Sequence, residues 1–331
     1  MFTGLYTALI TPFLNDLSLD IDSIRNLVKM QFQSKVDGII LFGTSGEGMT
    51  ITNSEREYII KYVISLVNEL AMDSKFLVNG KQYKPKVVVG SGTNCTATTI
   101  EQSVQAEKLG ADGVMVVTPY YNRPSQEGLY NHYKAVNDVI NIPIMLYNIP
   151  TRSGVNIEDA TLMRLMSLSN IVCLKDYDSL RPIRLYVDWS DMTNNSYSKD
   201  FIVDANSNYE LFRAACSSRF TILAGDDVNS LSIYVNGGSG TVSVASNIMP
   251  EICYQLHSSA KALDIAKAQA IHAHLYPIYS ALFCEVNPVP VKYFAYKLGL
   301  IKSPCVRSPL CQLSDSSKPK IDKILGRYFH K

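Results

Sequence analysis

The sequence has no cysteine pattern that would build a disulfide framework or a zinc ribbon. Its seven cysteines are odd in number, and none forms a CxxC pair, whereas disulfide-rich and zinc-binding domains carry even or closely spaced sets. His272 and His274 are two residues apart and face different sides of a helix, which disfavours a metal site. We therefore expect a protein without a bound metal, located in the reducing cytoplasm.

The chain also lacks an excess of charge of either sign. Thirty-one Lys and Arg residues balance 30 Asp and Glu residues, which leaves a formal net charge of +1. Nucleic acids and anionic membranes are bound largely through positive charge, so neither is an expected partner. Residues 228–250 are uncharged over a length that could span a bilayer, but asparagine, glycine and serine interrupt them. We predict a soluble, globular protein.

Short β-branched runs alternate with segments of helical periodicity along most of the chain, which is typical of repeated βα units. Ser54 and Glu57 predict a capping box at the start of the second helix. Eight such units predict an α/β fold, a closed (β/α)8 or TIM barrel, in which the loops after the strands carry the function. The predicted strands are residues 5–10, 38–42, 86–89, 113–117, 143–147, 171–175, 220–223 and 240–244.

The strand pattern ends near residue 250, and the sequence after it is helical. We therefore predict a barrel over residues 1–250 and a C-terminal helical extension over residues 251–331. Two stretches, near residues 72–85 and 180–199, are longer than compact βα connections require. Both are predicted to be surface insertions without chemistry of their own.

Three predicted strand ends carry residues that could bind a ligand or take part in catalysis. Residues 43–48 (GTSGEG) follow the second strand, where backbone N–H groups could hold a small anion, although such turns are often purely structural. After the fifth strand, Tyr147 could relay protons and Arg152 could bind a carboxylate. Lys175 ends the apolar sixth strand, so it is a candidate nucleophile for a ketone, or else a lysine that extends to the surface or pairs with Asp176.

Taken together, six ordered motifs make the chain similar to a known family. It resembles the pyruvate-dependent class I aldolase family that contains N-acetylneuraminate lyase and dihydrodipicolinate synthase. The TPYYNRP segment, Arg152 and the NPVPVK segment resemble the synthase branch more than the lyase branch. The motifs are GTSGE at 43–47, TPYYNRPSQEGLY at 118–130, YNIPTRSG at 147–154, LKD at 174–176, AGDD at 224–227 and NPVPVK at 287–292.

The resemblance implies four catalytic residues. Lys175 would form a Schiff base with pyruvate, and Tyr147 would shuttle protons during imine formation and cyclisation. Thr44 would link Tyr147 to Tyr121, which would reach into the site of a neighbouring subunit. The three hydroxyl groups would then form a proton relay, which suits a reaction with several proton transfers.

The resemblance also implies a set of substrate-binding residues. Thr44 and Ser45 would hold the carboxylate of pyruvate, and Arg152 would hold that of L-aspartate 4-semialdehyde. Ser45 replaces the threonine usual in the synthase but keeps a hydroxyl group, and Asp176 replaces a more common glutamate. The remaining implied substrate-binding residues are Gly154, Gly225 and Val242.

The implied activity is that of a carbon–oxygen lyase in lysine and diaminopimelate biosynthesis. It condenses pyruvate with L-aspartate 4-semialdehyde through a lysine–pyruvate imine, without a cofactor, in a cytoplasmic homotetramer built as a dimer of dimers. One alternative keeps the Schiff base but uses another aldehyde, as in a neuraminate lyase, and Arg152 discriminates between the two. A second alternative is a catalytically silent homologue that binds small molecules.

Overall fold

The polypeptide forms a closed barrel of parallel strands, which confirms the predicted fold class. The computed structural model describes residues 1–73, 77–78, 81–185 and 219–329. The first strand pairs in parallel with both the second and the eighth, so the sheet has no open edge. The barrel strands are β1 (Gly4–Ala8), β2 (Gly38–Leu41), β3 (Lys86–Gly90), β4 (Gly113–Val117), β5 (Ile144–Asn148), β6 (Ile171–Asp176), β7 (Thr221–Ala224) and β8 (Gly240–Ser243).

Helices connect the strands and cover the outside of the barrel. None of the described helices is both long and apolar enough to cross a lipid bilayer. Residues 181–185 are also helical. The other helices are α1 (Ile21–Gln33), α2 (Asn53–Met72), α3 (Thr96–Lys108), α4 (Gln126–Asn137), α5 (Pro150–Ser153), α6 (Asp159–Met166), α7 (Ser230–Val235), α8 (Pro250–Lys261), α9 (Ile265–Leu282), α10 (Val289–Lys297) and α11 (Lys318–Tyr328).

Helix α2 begins earlier than the sequence predicts, so the expected capping box at Ser54 and Glu57 is wrong. The N-cap is Thr52, whose hydroxyl accepts a hydrogen bond from the Glu55 amide at 3.3 Å. The Glu55 carboxylate in turn accepts from the Thr52 amide at 2.9 Å. This reciprocal pair satisfies two amide groups that the first helical turn leaves free.

The alternation of side chains along each strand divides the core into two parts. One set, which includes Tyr6, Ile40 and Leu223, fills the barrel interior, while the alternate residues pack beneath the helices. Burying each large apolar side chain contributes about 1.5–3 kcal/mol. The packed interior leaves the loops at the carboxyl ends of the strands as the place for a site.

The C-terminal helices pack onto the barrel. Helix α8 contacts β1 and β8 and covers the seam where the barrel closes, and α10 and α11 contact each other. The proposed division at residue 250 remains a prediction. In the predicted insertion near 72–85, Leu77–Val78 pairs antiparallel with Lys81–Gln82, and most of the insertion near 180–199 lies outside the described residues.

Candidate active site

The loops at the carboxyl ends of the strands surround a cavity of about 230 Å³. It lies where (β/α)8 barrels carry their functional residues. The cavity brings together most of the residues selected from the sequence. They include the cationic side chains of Lys175 and Arg152 and the two hydroxyl-bearing residues of the GTSGEG loop. The selected residues in its wall are Thr44, Ser45, Tyr147, Arg152, Lys175 and Gly225.

Lys175 lies on β6 with only 5% of its surface exposed. The strand register places it beside Tyr147 of β5, and its Nζ lies 3.9 Å from the centroid of the Tyr147 ring. Burial lowers the pKa of Lys175 to about 7, while the carboxylates of Asp226 and Asp227 oppose that shift. A large fraction of the amine is therefore neutral near pH 7 and able to act as a nucleophile.

Tyr147 is the second buried titratable group of the cavity. Burial raises the pKa of its phenol to about 12, opposed by a hydrogen bond with Thr44 and by the charge of Arg152. The phenol is thus protonated at neutral pH and can give up and regain a proton. Tyr147 and Thr44 also line a neighbouring, more apolar cavity of about 310 Å³, whose wall includes Met49 and Tyr120.

Three selected residues lie outside the walls of these two cavities. Tyr121 is 91% exposed, with a backbone φ of +72°. Gly154 ends helix α5 in the left-handed conformation, with φ of +75°, beside the Arg123 side chain. Val242 is buried in the barrel interior. Within the described chain, none of the three forms part of the surface that surrounds Lys175.

Asp226 and Asn287 are among the polar residues of the cavity wall that had no assigned role. Asp226 accepts a hydrogen bond from the Val228 amide at 3.2 Å and lines the cavity with Lys175. Asn287 lines it too, and its Nδ2 donates to Ser45 Oγ at 3.0 Å. Both belong to motifs visible in the sequence, AGDD and NPVPVK, but the motifs alone do not indicate which side chains face the cavity.

Asp227, next to Asp226, is buried and held by several hydrogen bonds. Its carboxylate accepts from the amides of Val244 at 2.8 Å and Ala245 at 3.0 Å, and also from the Ser243 hydroxyl. Burial raises the pKa of Asp227 to about 6, while these hydrogen bonds oppose the shift. The carboxylate thus ties the loop after β7 to the end of β8.

Known proteins resemble this chain over nearly its whole length. The sequence model described as the dihydrodipicolinate synthetase family matches residues 1–185 and 198–327. A 4-hydroxy-tetrahydrodipicolinate synthase of Protochlamydia amoebophila is 37% identical, covering 98% of this chain and 95% of the relative. One of Rickettsia prowazekii is 36% identical, covering 98% of this chain and 97% of the relative.

Solved structures give the same result. The 4-hydroxy-tetrahydrodipicolinate synthase of Methylacidiphilum fumariolicum SolV superposes with a TM-score of 0.83 at 33% identity, covering 99% of this chain and 96% of that one. The dihydrodipicolinate synthase of Aquifex aeolicus superposes with a TM-score of 0.82 at 31% identity, covering 99% and 98%. Sequence and structure therefore agree that the chain belongs to the dihydrodipicolinate synthetase family.

Proposed function

We propose that the chain is a lyase that condenses pyruvate with L-aspartate 4-semialdehyde, the reaction of 4-hydroxy-tetrahydrodipicolinate synthases. This reaction belongs to lysine and diaminopimelate biosynthesis. The observation that carries the proposal is the buried Lys175, with its lowered pKa, against the Tyr147 ring in a cavity that also holds Arg152. The names of the curated relatives support the same activity.

The first stage forms an imine between Lys175 and pyruvate. The neutral amine attacks the ketone carbon, and the resulting carbinolamine loses water to give the imine. Thr44 and Ser45 hold the pyruvate carboxylate through hydroxyl and backbone N–H groups in the loop after β2. Tyr147 donates the proton that the departing hydroxyl group needs and recovers one through Thr44.

The second stage forms the carbon–carbon bond and the ring. The imine accepts an electron pair as the pyruvate methyl group loses a proton, which gives an enamine. The enamine attacks the aldehyde carbon, and the aldehyde oxygen takes up a proton and becomes a hydroxyl group. Arg152 holds the carboxylate of the aldehyde substrate. The substrate's own amine, once deprotonated, then attacks the imine carbon, which closes the ring and releases Lys175 as a free amine. Because the imine is the electron sink, the proposal requires no cofactor.

The proposed assembly is a homotetramer, a dimer of dimers, in which Tyr121 completes the site of a neighbouring subunit. The 91% exposure of Tyr121 beside Tyr120, a residue of the apolar cavity wall, supports this assignment. One structural relative is described as the first monomeric dihydrodipicolinate synthase variant, so the assembly needs a direct test. Analytical ultracentrifugation is expected to show a tetramer for both the unmodified protein and Tyr121→Ala. A separate activity assay is expected to show lower activity for the variant.

The proposed location is the cytoplasm. All six cysteines within the described residues are unpaired, which agrees with a reducing compartment. Fractionation of the native host followed by immunoblotting would test this proposal, and recovery of the protein outside the cytoplasmic fraction would contradict it.

The decisive experiment traps the imine. The purified protein is incubated with pyruvate and sodium borohydride, and the adduct is located by peptide mass spectrometry. We expect modification at Lys175 and none in Lys175→Ala. Lys292, whose ammonium is buried and bonded to Glu47, is an internal control that should stay unmodified. Absence of an adduct in the folded protein would overturn the proposal. If the adduct forms, activity assays of the same protein with pyruvate and several aldehydes identify the second substrate.

A further inference from the structure

The loop after β2, residues 43–48, has a conformation that the barrel alone does not explain. Its turn is closed by hydrogen bonds from the Gly46 amide to the Gly43 carbonyl at 3.0 Å and from the Glu47 amide to the Thr44 carbonyl at 3.1 Å. Glu47 has a backbone φ of +51°, a left-handed conformation that is unfavourable for a residue other than glycine. Other contacts must therefore stabilise the loop.

Those contacts come from the C-terminal part of the chain. The buried Glu47 carboxylate accepts a hydrogen bond from Lys292 Nζ on α10 and one of 2.9 Å from the Arg307 amide. Lys292 is fully buried, donates also to the Cys305 carbonyl at 2.8 Å, and lies 4.1 Å from the Phe13 ring centroid. With both charges paired and bonded, α10 is fixed against the loop.

Asn287 lies two residues before α10 and is therefore fixed against the same loop. Its Nδ2 donates to Ser45 Oγ at 3.0 Å, and both residues are buried. Among the described residues, the buried Oδ1 of Asn287 has no hydrogen-bond partner. Within the described residues, the Asn287 amide is therefore held through its donor group, by the bond to Ser45 Oγ.

The direction of this hydrogen bond determines what Ser45 can do. A serine hydroxyl has one proton and two lone pairs. When Asn287 donates to a lone pair, the Ser45 proton remains free for an anionic oxygen in the cavity that both residues line. Serine also lacks the β-branch that restricts the χ1 of threonine, so a neighbour must fix the direction of its hydroxyl group.

We propose that Asn287 is a positioning residue that orients the Ser45 hydroxyl toward the carboxylate of pyruvate. This inference rests on the proposed function, because it requires a 2-oxo acid in the cavity. It makes the C-terminal extension part of the substrate-binding apparatus, with Lys292 anchoring the helix that follows Asn287. Asn287 does not itself contact the reacting atoms.

Three variants test the proposal by pyruvate titration of borohydride trapping at Lys175 and by steady-state kinetics. Asn287→Ala is expected to raise the half-saturating pyruvate concentration about three- to tenfold, as expected for one lost hydrogen bond, with kcat and the KM for the aldehyde within about twofold. Asn287→Asp is expected to raise it about 10- to 100-fold, because an acceptor takes the Ser45 proton and repels the substrate carboxylate. Adding Ser45→Thr to Asn287→Ala should restore at least about half of the lost pyruvate affinity, because the β-branch of threonine restricts its χ1.

Two controls separate positioning from general damage. In a Ser45→Ala background, Asn287→Ala should cause no further loss of pyruvate affinity, since the hydroxyl it orients is gone. Asn141→Ala removes an exposed asparagine outside the site and should change nothing. Circular dichroism verifies folding, and the isosteric Asn287→Asp carries the test if Asn287→Ala does not fold.

The proposal is overturned if Asn287→Ala binds pyruvate like the unmodified protein, if it lowers kcat and both affinities together, or if its effect is equal in the Ser45→Ala background. Failure of the proposed function looks different. In that case the unmodified protein itself forms no pyruvate adduct, whereas failure of this inference alone leaves that adduct in place.

Discussion

Asp176, one residue beyond the proposed nucleophile Lys175, accepts a hydrogen bond of 2.7 Å from Arg181 Nε through its carboxylate. Asn148 Nδ2 donates to the other carboxylate oxygen at 3.1 Å. Asp176 follows Lys175 on β6, and Asn148 follows Tyr147 on β5. The Asp176 carboxylate therefore ties together the ends of the two strands that carry the amine and the phenol.

Removal of the Arg181 guanidinium is expected to destabilise the fold strongly. Arg181 and Asp176 are both buried, with side-chain exposures of 2% and 0%, so Arg181→Met leaves an unpaired buried carboxylate. The expected loss is about 3–5 kcal/mol in the free energy of unfolding, measured by urea denaturation. Arg184→Met is the matched control, because its ion-paired side chain is 42% exposed and should cost no more than about 1 kcal/mol. Similar losses for both variants would contradict this account.

The rate of imine trapping is expected to rise with pH through the titration of Lys175. Only the neutral amine attacks pyruvate, so the rate increases across the region near pH 7, the approximate pKa of Lys175, and levels off above it. Asp226 favours the charged amine, so Asp226→Asn should lower that pKa and move the curve to lower pH. Glu251→Gln, at an exposed position on α8, is the control. An unchanged curve, or a shift to higher pH in Asp226→Asn, would show that the carboxylate does not act on Lys175.

Loss of the Tyr147 hydroxyl should slow proton transfer without removing the nucleophile. Tyr147→Phe keeps the ring beside Lys175 and is expected to lower kcat about 10²- to 10⁴-fold, the range for general acid–base catalysis. Thr44→Val, which removes the hydrogen-bond partner of the phenol, should also lower kcat. Stopped-flow measurement of imine formation locates the defect. Tyr62→Phe removes a phenol that accepts a hydrogen bond from Arg25 Nε on the barrel's exterior and should leave kcat near that of the unmodified protein.

We expect the backbone at Gly154 to require glycine for structural reasons, in addition to any contact with substrate. Its φ of +75° disfavours other residues, and a Cβ atom there would lie 2.6 Å from Arg123 Nε. Gly110 has φ of +89° and open space where its Cβ would lie, so Gly110→Ala measures backbone strain alone, at about 1–2 kcal/mol. Gly154→Ala should lower the free energy of unfolding by more than Gly110→Ala in the same denaturation experiment. An equal or smaller loss would mean that Arg123 moves aside freely.

The strands could be predicted from the sequence because each is a short, largely apolar run bounded by turn residues. The predicted strand at 113–117 has the same bounds in the structure, and the others differ by one or two residues. The start of α2 could not be chosen by pattern alone, because Thr52–Glu55 and Ser54–Glu57 both match a capping box. Only the folded backbone, extended at Thr52 with ψ of 160°, distinguishes the two.

The positions of candidate site residues could be predicted from the sequence where those residues lie at the ends of strands. Lys175 and Tyr147 continue the strand pattern, so the barrel topology alone brings them to one mouth. The bond between Asn287 and Ser45 joins residues 242 positions apart, and no local pattern predicts such a pairing. Likewise, the burial of Glu47 follows from the position of α10 against the loop, which depends on packing rather than on periodicity.

The long separation between Ser45 and Asn287 also sets an order of events during synthesis of the chain. The GTSGEG loop leaves the ribosome early, but the asparagine that donates to its Ser45 hydroxyl group and the lysine that pairs with Glu47 follow 242 and 245 residues later. At translation rates of about 5–20 residues per second, that interval is about 12–50 s. A nascent chain that has already made all eight strands therefore still lacks the contacts that hold this loop, and it acquires them only as its last helices are added.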